Sequence, residues 1–168
     1  VMTIARDRDG DARSPFLGFG NSVSLSKKGF VAFMGVQEGA KKSIVLAHDN
    51  TLRTLAVEGS NDISEIEMFS PKVNDLGMVL FRAKNTEGKR GLYVADENGM
   101  KRIVGEGDDV ETDLGSGKIL SNPNYPGFGG EVDMNDKGEI VFYCLIIASP
   151  DNKELGSAVF KVTPKRLY

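Results

Sequence analysis

Apolar and polar residues alternate along this chain in short runs with a period of two, the signature of β-strands. Val23 and Leu25 flank Ser24, Pro71 and Val73 flank Lys72, and Val132 and Met134 flank Asp133. Each run is followed by a turn and then by a second run that is apolar on nearly every residue. Written out, the three turn-and-strand units are Ser26-Lys27-Lys28-Gly29-Phe30-Val31-Ala32-Phe33, Asn74 to Phe81, and Asn135 to Phe142. They share the pattern Asn/Ser-x-x-Gly-x-Val/Ile-x-Phe, so the chain is one small β unit used three times. Asn and Asp favour turn entry and the Gly adopts positive φ, as a short hairpin loop requires. In the second strand of each unit Val31 and Phe33, Val79 and Phe81, and Ile140 and Phe142 share one face. The other face is also largely apolar, so these strands are expected to be covered on both sides.

Third strands are predicted at 43–47, 91–95 and 158–162, and fourth strands at 52–57 and 100–104. The Asn98-Gly99 dipeptide between two β runs is a strong hairpin signal. Gly29 to Gly77 is 48 residues, and Ile44 maps onto Leu92 at the same offset. The units run over about residues 16–62, 63–114 and 115–168, in one repeat domain. The third unit ends before a fourth strand, and residues 1–7, with Val1-Met2-Thr3-Ile4-Ala5, are the candidate to complete its sheet. The alternative is that this segment is the tail of a preceding repeat, the chain being a piece of a longer protein. The third unit also carries 13 extra residues before its first strand and six extra in one hairpin. Such insertions go to loops on one face, often the working face.

Four-stranded units of about 50 residues with both faces apolar read as blades of a β-propeller. Asn74-Asp75-Leu76-Gly77-Met78-Val79-Leu80-Phe81, Gly91-Leu92-Tyr93-Val94-Ala95 and Gly105-Glu106-Gly107-Asp108 resemble a group of bacterial propeller-like repeat proteins. The resemblance covers nearly the whole chain and implies a secreted or surface-attached protein, extracellular or in the cell envelope, of undefined activity. It implies no catalytic residue. The first unit departs from the pattern with Ser26 and Lys28, and the third with its insertions and missing strand. Propellers have four to eight blades, so three units leave three solutions. The chain closes alone as a compact triangle, two chains form a six-bladed ring as a homodimer, or the chain is part of a longer propeller. The fold class is thus all-β, with three four-stranded antiparallel repeats, and a closed three-unit domain is the expectation. A β-prism is the fallback.

Composition narrows the function. A net charge of −3 argues against a nucleic-acid partner, because phosphate binding needs a concentrated basic surface. The longest apolar run, around residues 140–148, is far short of the roughly 18 residues a membrane helix needs. One cysteine, Cys144, forms no internal disulfide and sits in an apolar run, where an inert buried thiol is the default. The single His48 lies at a hairpin turn, and no Gly-x-Ser-x-Gly elbow is present for a Ser-His-Asp triad.

Two kinds of site remain. Asp7, Asp9 and Asp11 surround Gly10 as carboxylates do in calcium loops, which makes calcium the candidate ion. Glu106, Asp108, Asp109, Glu111 and Asp113, with Glu58, Asn61 and Asp62, form comparable acidic loops without the full EF-hand spacing. The candidate ligand-binding residues are Ser24, Lys72, Asp133, Glu131 and Tyr125. Glu131 and Asp133 share one strand face about 7 Å apart, near the carboxylate separation of inverting glycosidases. Tyr125, in a Pro/Asn loop, suits stacking on a sugar or peptide. The expectation is non-catalytic binding or scaffolding, with a protein or glycan as partner. A glycan-acting hydrolase or a purely structural part of a larger propeller is the alternative.

Overall fold

The computed structural model of the protein describes residues 1–113, 115–148 and 153–163. Sheet 1 is β1 (Gly18–Leu25), β2 (Val31–Gln37), β3 (Lys41–His48) and β4 (Thr51–Val57), antiparallel in chain order. In sheet 2 the first strand is broken into β5 (Ile63–Ile66) and β6 (Lys72–Val73). Both pair with β7 (Val79–Asn85), which continues into β8 (Arg90–Asp96) and β9 (Gly99–Gly105). Sheet 3 has β10 (Asp109–Thr112), β11 (Gly115–Ile119), β12 (Phe128–Met134), β13 (Ile140–Ala148) and β14 (Glu154–Val162). There β11 and β12 pair end to end along β13, and β14 pairs its other edge. The residues inserted in the third unit build the β10–β11 hairpin and the loop at 120–127, which interrupts the first strand.

The turn motif has one geometry in all three units. Gly29, Gly77 and Gly138 take φ of 85°, 75° and 76°, a conformation that costs glycine least. Each donates its N–H to the carbonyl of the residue opening the turn, Ser26, Asn74 or Asn135. The Asn side chain explains its place at the opening. Asn74 Oδ1 accepts the N–H groups of Leu76 and Met78, and Asn135 Oδ1 those of Lys137 and Glu139. Ser26, shorter, accepts one from Phe30. The repeat extends to irregularities: the register between third and fourth strands slips at Ile44/Val45 in sheet 1 and at Leu92/Tyr93 in sheet 2, 48 residues on.

The sheets stack face to face in chain order. Ala32, Met34, Ile44 and Leu46 of sheet 1 share a core with Val79, Phe81, Tyr93 and Ala95 of sheet 2. The opposite face of sheet 2, with Leu80, Leu92 and Val94, shares a second core with Ile140, Phe142, Phe128 and Met134 of sheet 3. So the Val/Ile-x-Phe residues of the motif face the preceding sheet, and the residue between them faces the following one. First strands β1, β6 and β12 come together along one side of the stack.

Two expectations are corrected here. The stack does not close into a triangle: among the described residues sheets 1 and 3 share no core, although their turns meet where Lys27 Nζ lies 3.7 Å from Asp136 Oδ2, and the far face of sheet 1 packs Phe33, Val45 and Ala47 against Phe16 and Ala5. A sheet sandwiched on both faces holds its neighbours about 10 Å to either side, which sets the apolar faces of sheets 1 and 3 apart across sheet 2. Nor do residues 1–7 complete the last sheet. They form no strand, and Ala5 lies against the apolar far face of sheet 1 instead. Among the described residues β14 has no partner on its outer edge.

Candidate functional site

Where the sheets meet, a carboxylate bridges them, and it does so twice. Glu58 accepts the N–H of Lys42 at 2.9 Å within its own sheet and that of Ile66 at 2.8 Å in the next. Forty-eight residues on, Glu106 accepts the N–H of Arg90 and of Gly127, each at 3.0 Å. Both are acids that sequence reasoning placed in candidate metal loops. In the structure their oxygens hold backbone donors of adjacent sheets, which satisfies N–H groups that burial would otherwise orphan. The matching offset of Glu58 and Glu106 was the signal for this role.

At the first junction Lys42 Nζ lies 3.1 Å from Glu58; at the second, Arg90 takes the position of Lys42 in a more deeply buried ion network. Arg82 Nε lies 3.0 Å from Glu67, Arg90 Nε 2.9 Å from Glu67, and Arg90 Nη1 3.4 Å from Glu106. Arg82 also donates to the carbonyl of Gly130 at 2.9 Å and stacks on Phe69. Burial works against the charge of Arg90, yet Glu67 and Glu106 hold its pKa above the ordinary arginine value. At the turns a third device recurs. Lys28 N–H donates to Asp75 Oδ1 at 2.9 Å, and Asp75 N–H to Asp136 Oδ1 at 3.0 Å. The Lys28 bond is the main cause holding the Asp75 carboxyl below the usual range.

Open surface is found at the free end of the stack. A depression of about 310 Å³ on the free face of sheet 3 is lined by Lys72, Glu131, Asp133, Val141, Tyr143 and Val159 among others. Lys72 Nζ lies 3.2 Å from Glu131, whose side chain is 72% exposed. In register across the sheet stand Asp133, Val141 and Lys161, then Gly129, Tyr143 and Val159. The structure thus brings together three of the five residues expected to bind ligand, Lys72, Glu131 and Asp133. Ser24, on β1 and paired with Ala32 of β2, lies outside the depression, its hydroxyl enclosed. Tyr125 is exposed on the loop at 120–127, in a bridge with Asn122, and does not line the depression either. Val141, Tyr143 and Val159 were missed, because their alternation reads in sequence like that of a covered strand.

A second cleft, of about 380 Å³, opens between the hairpin turns of sheets 1 and 2. Its floor is the His48 ring stacked on Phe30 at 3.8 Å, with Arg53 and Glu97 joined at 2.9 Å across the rim. His48 Nδ1 lies 3.4 Å from Asp49.

The acidic N-terminal loop is folded on itself. Asp7 accepts the N–H of Gly10, and Asp11 that of Arg13. Among the described residues no three His, Cys, Asp or Glu side chains converge to hold a metal, Asp7, Asp9 and Asp11 included. Cys144 is buried, and burial pushes its thiol up to about 11. No helix among the described residues is long and apolar enough to cross a membrane. Comparison of the chain with protein families, with curated proteins and with solved structures finds no match in any of the three.

Proposed function

We propose that this chain is a non-catalytic binding or scaffolding module of β-propeller-like construction, working through the free face of sheet 3 in an extracellular or envelope setting. One observation carries the reading. Tyr143 and Val159 stand exposed on that face beside a charged rim of Lys72, Glu131 and Asp133, the apolar-centre, polar-rim composition of binding surfaces. Tyrosine is favoured there because its ring is a large, rigid contact with a polar tip. The setting rests on the likeness of the repeat motif to surface-attached repeat proteins.

A glycan hydrolase is the second reading, favoured by Glu131 and Asp133 lying in one depression. Against it, the depression is shallow, and Glu131 is open to water and neutralised by Lys72, whereas catalytic carboxylates work in enclosed surroundings. The test is binding of labelled protein to glycan and peptide arrays, beside a Lys72→Ala/Tyr143→Ala variant. Binding to one class that the variant loses supports the module. No binding, or glycoside turnover abolished by Glu131→Gln or Asp133→Asn, overturns it.

A further inference from the structure

The backbone of β13 shows which way the groups of β14 point. Leu145 donates its N–H to Gly127 and accepts one from Leu120, each at 2.9 Å, so both of its groups point away from β14. Its cross-strand partner is Ser157. The two therefore form a non-hydrogen-bonded antiparallel pair, and the N–H and C=O of Ser157 point outward. Residues two apart repeat that direction, which adds Val159, opposite Tyr143, and Lys161, opposite Val141. These N–H and C=O groups line an outer edge that has no partner among the described residues.

The other two units show what such an edge receives. Lys42 and Arg90 stand where Ser157 does, opposite Val36 and Lys84, the residues that match Leu145. The carbonyl of Lys42 accepts the N–H of Glu58 at 3.0 Å, and that of Arg90 the N–H of Glu106 at 2.9 Å. The carboxylates of the same two residues take the N–H groups of Lys42 and Arg90. Six residues before each acid stands an apolar residue, Leu52 opposite Ala47 and Met100 opposite Ala95. Val162 holds the place of Ala47 and Ala95 on β14. A fourth strand is thus marked by an apolar residue and by a carboxylate six positions later.

Its lack is visible in the burial of β14. Phe160 and Val162 pack on the core of the second junction, which sheet 2 already covers, yet they are only half-buried. Their counterparts Tyr93 and Ala95, with Arg102 and Met100 beside them, are 3% and 0% exposed. A neighbouring sheet is in place on that side, so the missing cover is a strand.

We propose that the outer edge of β14 binds an extended peptide of another protein as its fourth strand. The peptide carries an apolar residue opposite Val162 and, six residues on, an Asp or Glu that accepts the Ser157 N–H. Main-chain hydrogen bonds supply the affinity and these two side chains the selection, as in β-strand addition. Val159, in the place of Ile44 and Leu92, also lines the adjoining depression. The inference rests on the reading of that region as the binding surface and names a peptide as its partner.

The test is titration of the isotope-labelled protein with a synthetic peptide of the sequence Thr51 to Gly59, up to about 1 mM. The amides of Ser157, Val159 and Lys161 are expected to shift and to gain protection from hydrogen exchange. Those of Ala158 and Phe160, already bonded to β13, should change little. The same peptide with Glu58→Ala should bind about tenfold more weakly. In the protein, Val159→Pro removes an outward N–H without touching the β13 ladder, and should abolish binding with an unchanged circular dichroism spectrum. The peptide variant decides the matter should that protein fail to fold. No binding, an Ala peptide bound as tightly, or binding retained by folded Val159→Pro overturns the proposal. So does protection of the same amides without peptide as protein concentration rises, which would put a second copy on the edge. If the peptide fails while an array ligand is lost on Lys72→Ala/Tyr143→Ala, this inference alone fails. If no array ligand is found either, the proposed function fails with it.

Discussion

Between sheets 1 and 2, Glu58 takes the N–H groups of Lys42 and Ile66; between sheets 2 and 3, Glu106 takes those of Arg90 and Gly127. Around that shared clamp the two junctions are filled differently. Met34 faces sheet 2 at the first, and its counterpart at the second is Arg82, buried and paired with Glu67. A buried arginine gives up its water and persists only where every donor finds a partner. Glu67, Gly130 and the ring of Phe69 supply those partners. Glu67 and Phe69 come from the break between β5 and β6, so the interruption of the first strand is what admits the ionic filling. The clamp and the cation beside it, Lys42 on Glu58 and Arg90 on Glu106, are the constants of the repeat, and the rest of the filling is free to vary.

The largest expected break in this comparison is Glu106→Ala. It orphans two backbone N–H groups and strips Arg90 of a partner, at a cost of about 3–5 kcal/mol. Glu58→Ala also orphans two N–H groups and strips Lys42, 3.1 Å away, of a partner. Glu58 is less deeply buried than Glu106 and Lys42 does not share in the Arg82–Glu67 network, so the change should cost about 2–3 kcal/mol by the same urea titration. Equal losses would show that the network adds nothing to the clamp. Leu92→Ala should cost about 2–4 kcal/mol, and Val159→Ala less than about 0.5 kcal/mol in the monomer. At the turns Gly77→Ala, with φ of 75° and the Phe30 ring 3.1 Å from the added methyl, should cost about 1–2 kcal/mol. Gly138→Ala shares the strain but meets Met78 at 3.5 Å, so its loss should be the smaller of the two.

Acid offers a finer comparison. Because the Asp75 carboxyl is depressed in the folded state, its contribution is full above the unfolded carboxylate pKa. That contribution disappears as pH falls through the depressed folded value. Asp75→Asn should therefore lower stability at neutral pH and flatten its decline towards acid, read from urea midpoints across pH. A decline as steep as wild type would remove the turn ladder from the account. The smallest effect is on thiol chemistry. Cys144 lies in the core of the second junction, so its labelling in native buffer reports the opening of that junction. Glu106→Ala should accelerate labelling and Glu58→Ala should leave it near the wild-type rate.

Much of the fold was legible because it is local. Asn-x-x-Gly writes its own turn through a side-chain oxygen and a positive φ, and alternation writes the strands. The 48-residue offset that aligns Ile44 with Leu92 also aligns the register slips beside them. The extra six residues before Val159 keep it in the same structural position on β14. The candidate site was legible only in part. Lys72, Glu131 and Asp133 sit on first strands that the stacking brings side by side, whereas Ser24 turned out enclosed and Tyr125 remote from the depression. Among the acids of the loops after β4 and β9, the clamping role of Glu58 and Glu106 was not read, since a carboxylate that clamps two sheets has the composition of one that holds a cation.

By itself the sequence determined the unit: its turns, its strand order and the two apolar faces that require neighbours. It did so because those features depend on residues a few positions apart. Only the tertiary structure decided how the units meet. It showed that the sheets stack in a row and do not close on themselves, and that residues 1–7 lie on sheet 1. It also showed that Val23, Leu25, Val141 and Val159 are left open while their counterparts are buried. A β face carries the same alternating pattern whether a neighbour or water covers it, and that difference belongs to the assembled chain.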